Sequence, residues 1–403
     1  MSDAVDPGWE SAASHLAFLQ EATHRHYGIK SRSENPLDVP AVVEHLRQVY
    51  LSIHADGDEA GFHQMLAKQR DEREIAVKRC PTPYENPEWY GLMLSQFEAL
   101  SRSAAEMNLR IAPKPLLGTL ATGRVNGVAI GLHSTKTRII LLEEGLFGFA
   151  NLMCKAVASS MPQREGDGER LSFSTDLADL RSKLLEDETP ILRFFDALCS
   201  YVVQGHPHHA RPYASPPNTH GLSSILRESM ELFILGHEIG HVALGHLDGN
   251  LARNAIAESI DAETVQTNWQ QEFEADLVGM HLMIRAMTRD RGMDVALSYW
   301  GAHLFFGCIE IVEHTVSLLG TGKAETWRSH SHPPTAARQE RLKEVLLATV
   351  QPREAAEGAI SLAGVVDEIL ALFWKRCEEP LHRLHREGTR PAQWWMAHPD
   401  AEA

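Results

Sequence analysis

No CxxC pair occurs in this chain: the five cysteines, Cys80, Cys154, Cys199, Cys308 and Cys377, are scattered and odd in number. That spacing does not read as a disulfide framework and suits buried free thiols in a reducing cytoplasm. Positive charge is also scarce, with Lys and Arg at 38 against 54 for Asp and Glu, giving a net charge of −16. Phosphate recognition needs clustered Lys and Arg, so the charge argues against nucleic acid as a main partner and against an anionic membrane surface. The acidic start, Met1-Ser2-Asp3-Ala4-Val5-Asp6, lacks the apolar run of a signal peptide. No internal repeat is present. The one long apolar stretch, Ala296 to Gly320, contains His303, Glu310, Glu313 and His314. Ionisable groups are costly in lipid, so a helix buried behind the functional site is expected there, with Glu310 and His314 four apart and able to pair. What remains is an ordinary globular composition over 403 residues, enough for two or three domains or one elaborated domain.

Residues 1–112 read as helical, with Val39–Ala55 and Pro87–Met107 as the clearest segments and Pro36, Pro81 and Pro83 as breaks. From 116 to 143 apolar and polar residues alternate, with Gly118, Gly123 and Gly127 as turn signals, which predicts a short antiparallel sheet. Helices are expected near Leu146–Ser160 and Leu177–Val203. Gln163–Glu169 reads as a flexible loop. The stretch Gly205–His220 carries His206, His208, His209 and His220 among prolines. It offers a second metal site, or a mobile loop that acts as a lid; proline-rich loops favour the loop. A long amphipathic helix is expected from about Ala355 to Arg386, and Trp394 and Trp395 beyond it should dock on the body or on a partner. The organisation is thus a helical N-terminal region (1–112), a central domain (113–348, with an insertion at about 160–222) and a C-terminal helix with its tail (349–403).

The segment with most chemistry is His237-Glu238-Ile239-Gly240-His241. Two histidines four apart on a helix project from one face, so both imidazoles can reach one Zn²⁺ at about 2.0–2.1 Å. Glu238 is placed to reach a water at that metal without being a ligand, the layout of metal-assisted hydrolysis. The flanks, Met230 to Gly236 and Val242 to Leu244, are nearly all apolar. A helix so surrounded is buried, and burying two histidines and a glutamate without a partner costs several kcal/mol, which a metal removes.

A catalytic zinc takes a third protein ligand and an open position. His246, five residues after His241, lies roughly 140° further round an ideal helix and is expected to point away, as a helix-end histidine with Gly249 as the stop signal. An HExxHxxGxxH pattern fails at Leu244 and Leu247. Glu272 fits better. It precedes Asp276 by one turn in Gln271-Glu272-Phe273-Glu274-Ala275-Asp276, so a ligand carboxylate and an acid that holds a zinc-bound histidine would share one helix face. Taken alone, the same segment also reads as an acidic surface helix.

With the two helical motifs in order, the chain resembles the gluzincin peptidases, in particular the HtpX and CAAX-prenyl-protease family. Two further segments carry the likeness: Asn126-Gly127-Val128-Ala129 followed by Arg138 to Leu146, and Ser331-His332-Pro333-Pro334 followed by Arg338. ImmA-type and Lit-type peptidases are also soluble HExxH proteins with a downstream glutamate. The resemblance implies a zincin-like α+β fold, mostly α-helical, with a small antiparallel sheet beside the cleft. It implies one Zn²⁺ per chain held by His237, His241 and Glu272, with Glu238 as general base and acid and Asp276 behind the ligands. His332 would stabilise an oxyanion or bind substrate, or else is a plain loop histidine; Arg338 would pair with an acid near the site, or else lies on a helix surface. The family usually spans a membrane, and this chain is expected not to.

The resulting expectation is a cytoplasmic zinc endopeptidase acting on a protein or peptide, with an edge strand around Arg138–Leu142 aligning substrate. A structural zinc in a regulatory protein, and a gated defence peptidase with a single target, are the rival readings. The N-terminal region or the C-terminal helix could serve a protein partner or self-association in either case.

Overall fold

The computed structural model describes residues 7–29, 35–53, 58–132, 136–164, 173–247, 269–325 and 333–396. The chain is mostly helical with one small sheet, the α+β class expected. Four helices come first: α1 (Pro7–Tyr27), α2 (Pro40–Ile53), α3 (Glu59–Arg79) and α4 (Pro87–Glu106). Strands β1 (Leu116–Leu120), β2 (Gly127–Leu132) and β3 (Thr137–Glu143) follow. Then come α5 (Glu144–Ser160), α6 (Leu177–Glu186), α7 (Thr189–Val202), α8 (Pro217–Ala243), α9 (Trp269–Arg291), α10 (Val295–Thr321), α11 (Thr335–Thr349), α12 (Arg353–Arg386) and the short α13 (Gln393–Met396).

Local chemistry sets several of these bounds. Asn86 caps α4 by accepting from the Glu88 and Trp89 amides, and Pro87 occupies the first turn, where its missing N–H costs nothing. The helix expected over Leu177–Val203 is two helices, because Pro190 opens a new first turn in α7 after Asp187 ends α6. Most of the loop expected at Gln163–Glu169 lies outside the described residues, as does the end of the Val39–Ala55 segment.

The sheet has the order β1-β3-β2, with β1 parallel and β2 antiparallel to β3. This corrects two expectations. The sheet is mixed, not antiparallel, because the chain crosses the end of β3 between β1 and β2; alternation of apolar residues is blind to strand direction. The Arg138–Leu142 strand is central, not an edge; β2 is the edge strand that packs on α8.

The two faces of the sheet bury different residues, as the two-residue period requires. Leu116, Leu120, Ile139 and Leu141 meet Ala12, Leu16 and Leu19 of α1. Leu117, Ile140 and Leu142 join the main core, built from α4 to α12. The stretch tested as a membrane span, Val295–Thr321, is long and apolar enough to cross a bilayer, but 67% of its most apolar window is buried within the fold. It packs against α8 and α12. Its His303 bonds Asp367 of α12 at 2.6 Å, and its His314 ring lies 5.6 Å from Trp374. Trp394 and Trp395 dock on the body, with ring centroids 5.8 and 5.4 Å from Tyr201.

Glu231, buried in α8, accepts a 2.7 Å hydrogen bond from Gln96 of α4. Burial pushes its carboxyl pKa to about 7 from an ordinary 4.5. A raised acid favours folding while protonated, so this contribution is full below the ordinary value and declines as pH rises towards 7. Glu231→Gln removes the penalty of ionisation. It is expected to be more stable than the parent at pH 8 by about 2 kcal/mol, with little gain at pH 5, in urea unfolding. No gain at pH 8 would mean that the carboxylate is satisfied when charged.

Candidate metal centre

Helices α8 and α9 cross at a seam of small residues, and that crossing makes the site. A Cβ on Gly240 would lie 2.9 Å from the Cα of Ala275, and one on Gly279 would lie 2.8 Å from the His237 amide nitrogen. Only glycine permits backbones so close. The approach brings Glu272 of α9 up to the two histidines of α8.

The three side chains form a close triangle, with one Glu272 oxygen facing each imidazole. His237 Nε2 and His241 Nε2 are 3.1 Å apart. Glu272 Oε2 is 3.5 Å from His237 Nε2, and Glu272 Oε1 is 3.4 Å from His241 Nε2. All three side chains are buried. Donors around a tetrahedral zinc at about 2.0–2.1 Å are spaced by about 3.3 Å, so the triangle has the size of that cage.

Protonation follows from the partners. Asp276 Oδ1 lies 2.9 Å from His237 Nδ1, and a carboxylate only accepts, so this nitrogen carries the proton. Nε2 of His237 then presents a lone pair. His241 presents its own Nε2 from the other side, its Nδ1 being 3.0 Å from His246. Two lone pairs facing at 3.1 Å repel unless a proton or a metal ion lies between them. With the Glu272 carboxylate as third donor, the set of two imidazoles and one carboxylate fits a zinc-like divalent ion. Among the described residues this is the one group of three such side chains close enough to share an ion.

Of the supporting charges, Asp276 is buried and Arg338 is mostly covered. Arg338 donates to both oxygens of Asp276, Nε to Oδ2 at 2.7 Å and a terminal nitrogen to Oδ1 at 2.6 Å. The same terminal nitrogen is 3.8 Å from Glu272, and the guanidinium lies over the Phe306 ring. Burial works against charge on Asp276, and Arg338 and His237 outweigh it, holding the carboxyl below its ordinary range. For His237, burial again opposes charge, and the Asp276 hydrogen bond with the nearby acids outweighs it, raising the pKa. Burial pushes the Glu238 carboxyl up against the pull of His237 and His241. Its Oε1 lies where a Cβ on Gly127 of β2 would come within 3.0 Å, so the edge strand runs directly past it.

The structure therefore brings together His237, Glu238, His241, Glu272, Asp276 and Arg338. Arg338 lies at the site, with 11% of its side chain exposed, and not on an open helix surface. His332 lies outside the described residues. His246 departs from expectation. Helix α8 ends at Ala243, before the helical extrapolation reaches it, and Gly245 at φ +71° turns the chain back. The buried His246 ring so returns to His241. Gly245, four residues upstream of Gly249, was the available signal. The His206–His220 stretch forms no second metal group among the described residues, and it is tied to the body at two points. Arg211 N–H donates to Asp196 at 2.8 Å, and Lys155 donates to the Tyr213 carbonyl at 3.0 Å.

Comparison with protein-family models, with curated proteins and with solved structures finds no match to this chain.

Proposed function

We propose that this protein is a cytoplasmic, zinc-dependent endopeptidase with a gluzincin-type centre in a zincin-like core. The observation that carries the reading is the buried triangle of His237, His241 and Glu272, with the non-ligating carboxylate of Glu238 beside it and an edge strand running past. A divalent ion held by those three side chains supplies Lewis acidity towards water and the scissile carbonyl. Glu238 takes the proton of the attacking water and hands it to the departing amide nitrogen. Its burial raises its basicity for that task. Asp276 and Arg338 fix the His237 ring.

Substrate is an extended peptide added to the open side of β2. Among the described residues β2 pairs only with β3, so its other edge is the one a substrate backbone would join. A purely structural zinc would leave a buried Glu238 without a task. The net charge of −16 remains unsuited to nucleic acid.

Purified protein is expected to hold about one zinc per chain by elemental analysis and to cleave unfolded casein, with cleavage stopped by a chelator and restored by zinc. His241→Ala is expected to lose both metal and cleavage. Full zinc retention in that variant would overturn the ligand set, and a zinc-loaded parent that cleaves no unfolded protein or peptide would overturn the peptidase reading.

A further inference from the structure

His246 is not one of the three donors, yet it is among the most constrained side chains near the site. It is buried, and both of its ring nitrogens are used. Nδ1 faces His241 Nδ1 at 3.0 Å, and Nε2 faces Glu274 Oε2 at 3.1 Å. The protons have one consistent arrangement. Glu274 is an acceptor, so His246 carries its proton on Nε2 and offers a lone pair at Nδ1. His241 must then donate from Nδ1, which leaves its Nε2 lone pair for the triangle. The opposite arrangement would set a donor against a donor or an acceptor against an acceptor.

The two histidines of the centre are thus held by different devices. His237 is fixed directly by a buried carboxylate already paired with Arg338. His241 is fixed through a second imidazole, which ends on a carboxylate with 42% side-chain exposure. Both arms trace to α9, where Glu272 is the donor to the triangle, Asp276 lies one turn on, and Glu274 sits between them on the solvent-facing flank. Glu274 is itself steadied by Gln270, which donates to Oε1 at 2.8 Å. The turn at Gly245 is what makes the second arm possible. His246 N–H bonds the His241 carbonyl at 3.0 Å, so the chain folds back onto the very residue that its ring supports.

We infer that His246, held by Glu274, is a positioning residue that fixes the tautomer and orientation of His241 as a metal ligand. The inference rests on the metal-centre reading above and adds a residue to it. Its loss weakens metal binding without removing a ligand. A histidine free to take the other tautomer would present an N–H to the ion, and groups that hold ligand rings in this way are worth about 10–100-fold in metal affinity.

The test measures zinc affinity by competition with a chromophoric chelator and the visible spectrum of the Co²⁺-loaded protein. His246→Ala is expected to bind zinc about 10–100-fold more weakly and to shift the Co²⁺ spectrum, while metal-free thermal melting shows that it is folded. His246→Asn, which keeps an acceptor oxygen beside His241, is expected to recover most of the affinity, a rescue that a packing role would not give. Should His246→Ala fail to fold, Glu274→Ala at its more exposed position carries the test, with a smaller loss expected. A parent that binds zinc and a His246→Ala that binds it equally well with the same Co²⁺ spectrum would overturn this inference alone. A parent that takes up no metal would overturn the metal-centre reading and this inference with it.

Discussion

Replacing Glu238 by glutamine is expected to lower kcat on a quenched-fluorescence peptide by about 10²–10⁴-fold while leaving the zinc content near one per chain. The side chain keeps its shape, so the space between α8 and β2 stays filled. What is lost is the ability to take up a proton, since an amide does not do so near neutral pH. Glu238 is not part of the donor triangle, so metal retention separates its role from that of Glu272, whose loss should remove metal and turnover together. Stability is a second readout. Burial raises the Glu238 carboxyl, so its ionisation opposes folding increasingly as pH rises above the ordinary 4.5. The metal-free glutamine variant should therefore be no less stable than the parent at pH 7. Turnover within threefold of the parent would remove Glu238 from the chemistry. Loss of zinc would move it among the ligands.

The parts of this site legible in the sequence are those set by spacing within one helix. His237 and His241 lie four apart, as do Glu272 and Asp276, and the helical period places each pair on one face whatever surrounds them. That the two faces meet follows from the seam of Gly236, Gly240, Ala275 and Gly279, which reads in the sequence only as small residues within helices. His246 is not where helical spacing puts it, because the helix ends at Ala243 and Gly245 in the left-handed region changes the direction of the chain within one residue. The sheet shows the same boundary between local and non-local information. Alternation gave strands and faces, but a central β3 depends on where the chain crosses between Leu120 and Gly127, and there Gly123 packs against Gly205, 82 residues later by number (205 − 123). Arg338 was suggested only by its place after a His-Pro element. Its burial against Asp276 is a meeting of residues 62 apart that no period encodes.

That meeting makes Arg338→Met the substitution with the largest expected effect on folding. The long apolar side chain still fills the place over Phe306, and the change removes only the charge and its donors. Asp276 is then left buried with the His237 Nδ1–H as its remaining side-chain donor. Removing one partner of a buried pair costs about 3–5 kcal/mol, more than the pair itself is worth. The pH dependence gives the sign. In the parent, Arg338 and His237 hold the Asp276 carboxyl below its ordinary 3.8, so the pair's contribution is present above that value and is lost as pH falls through the lower, folded one. In the variant, burial is no longer outweighed by Arg338, and the carboxyl moves upward. The stability deficit should then be largest at pH 7 and shrink towards pH 4, measured by urea unfolding of metal-free protein. Adding Asp276→Asn to Arg338→Met removes the stranded charge and should return part of the loss at pH 7. That recovery separates an unpaired carboxylate from simple damage to packing. A single-variant deficit below about 1 kcal/mol at pH 7 would mean that water reaches Asp276, and the buried arm that orients His237 would lose its physical basis.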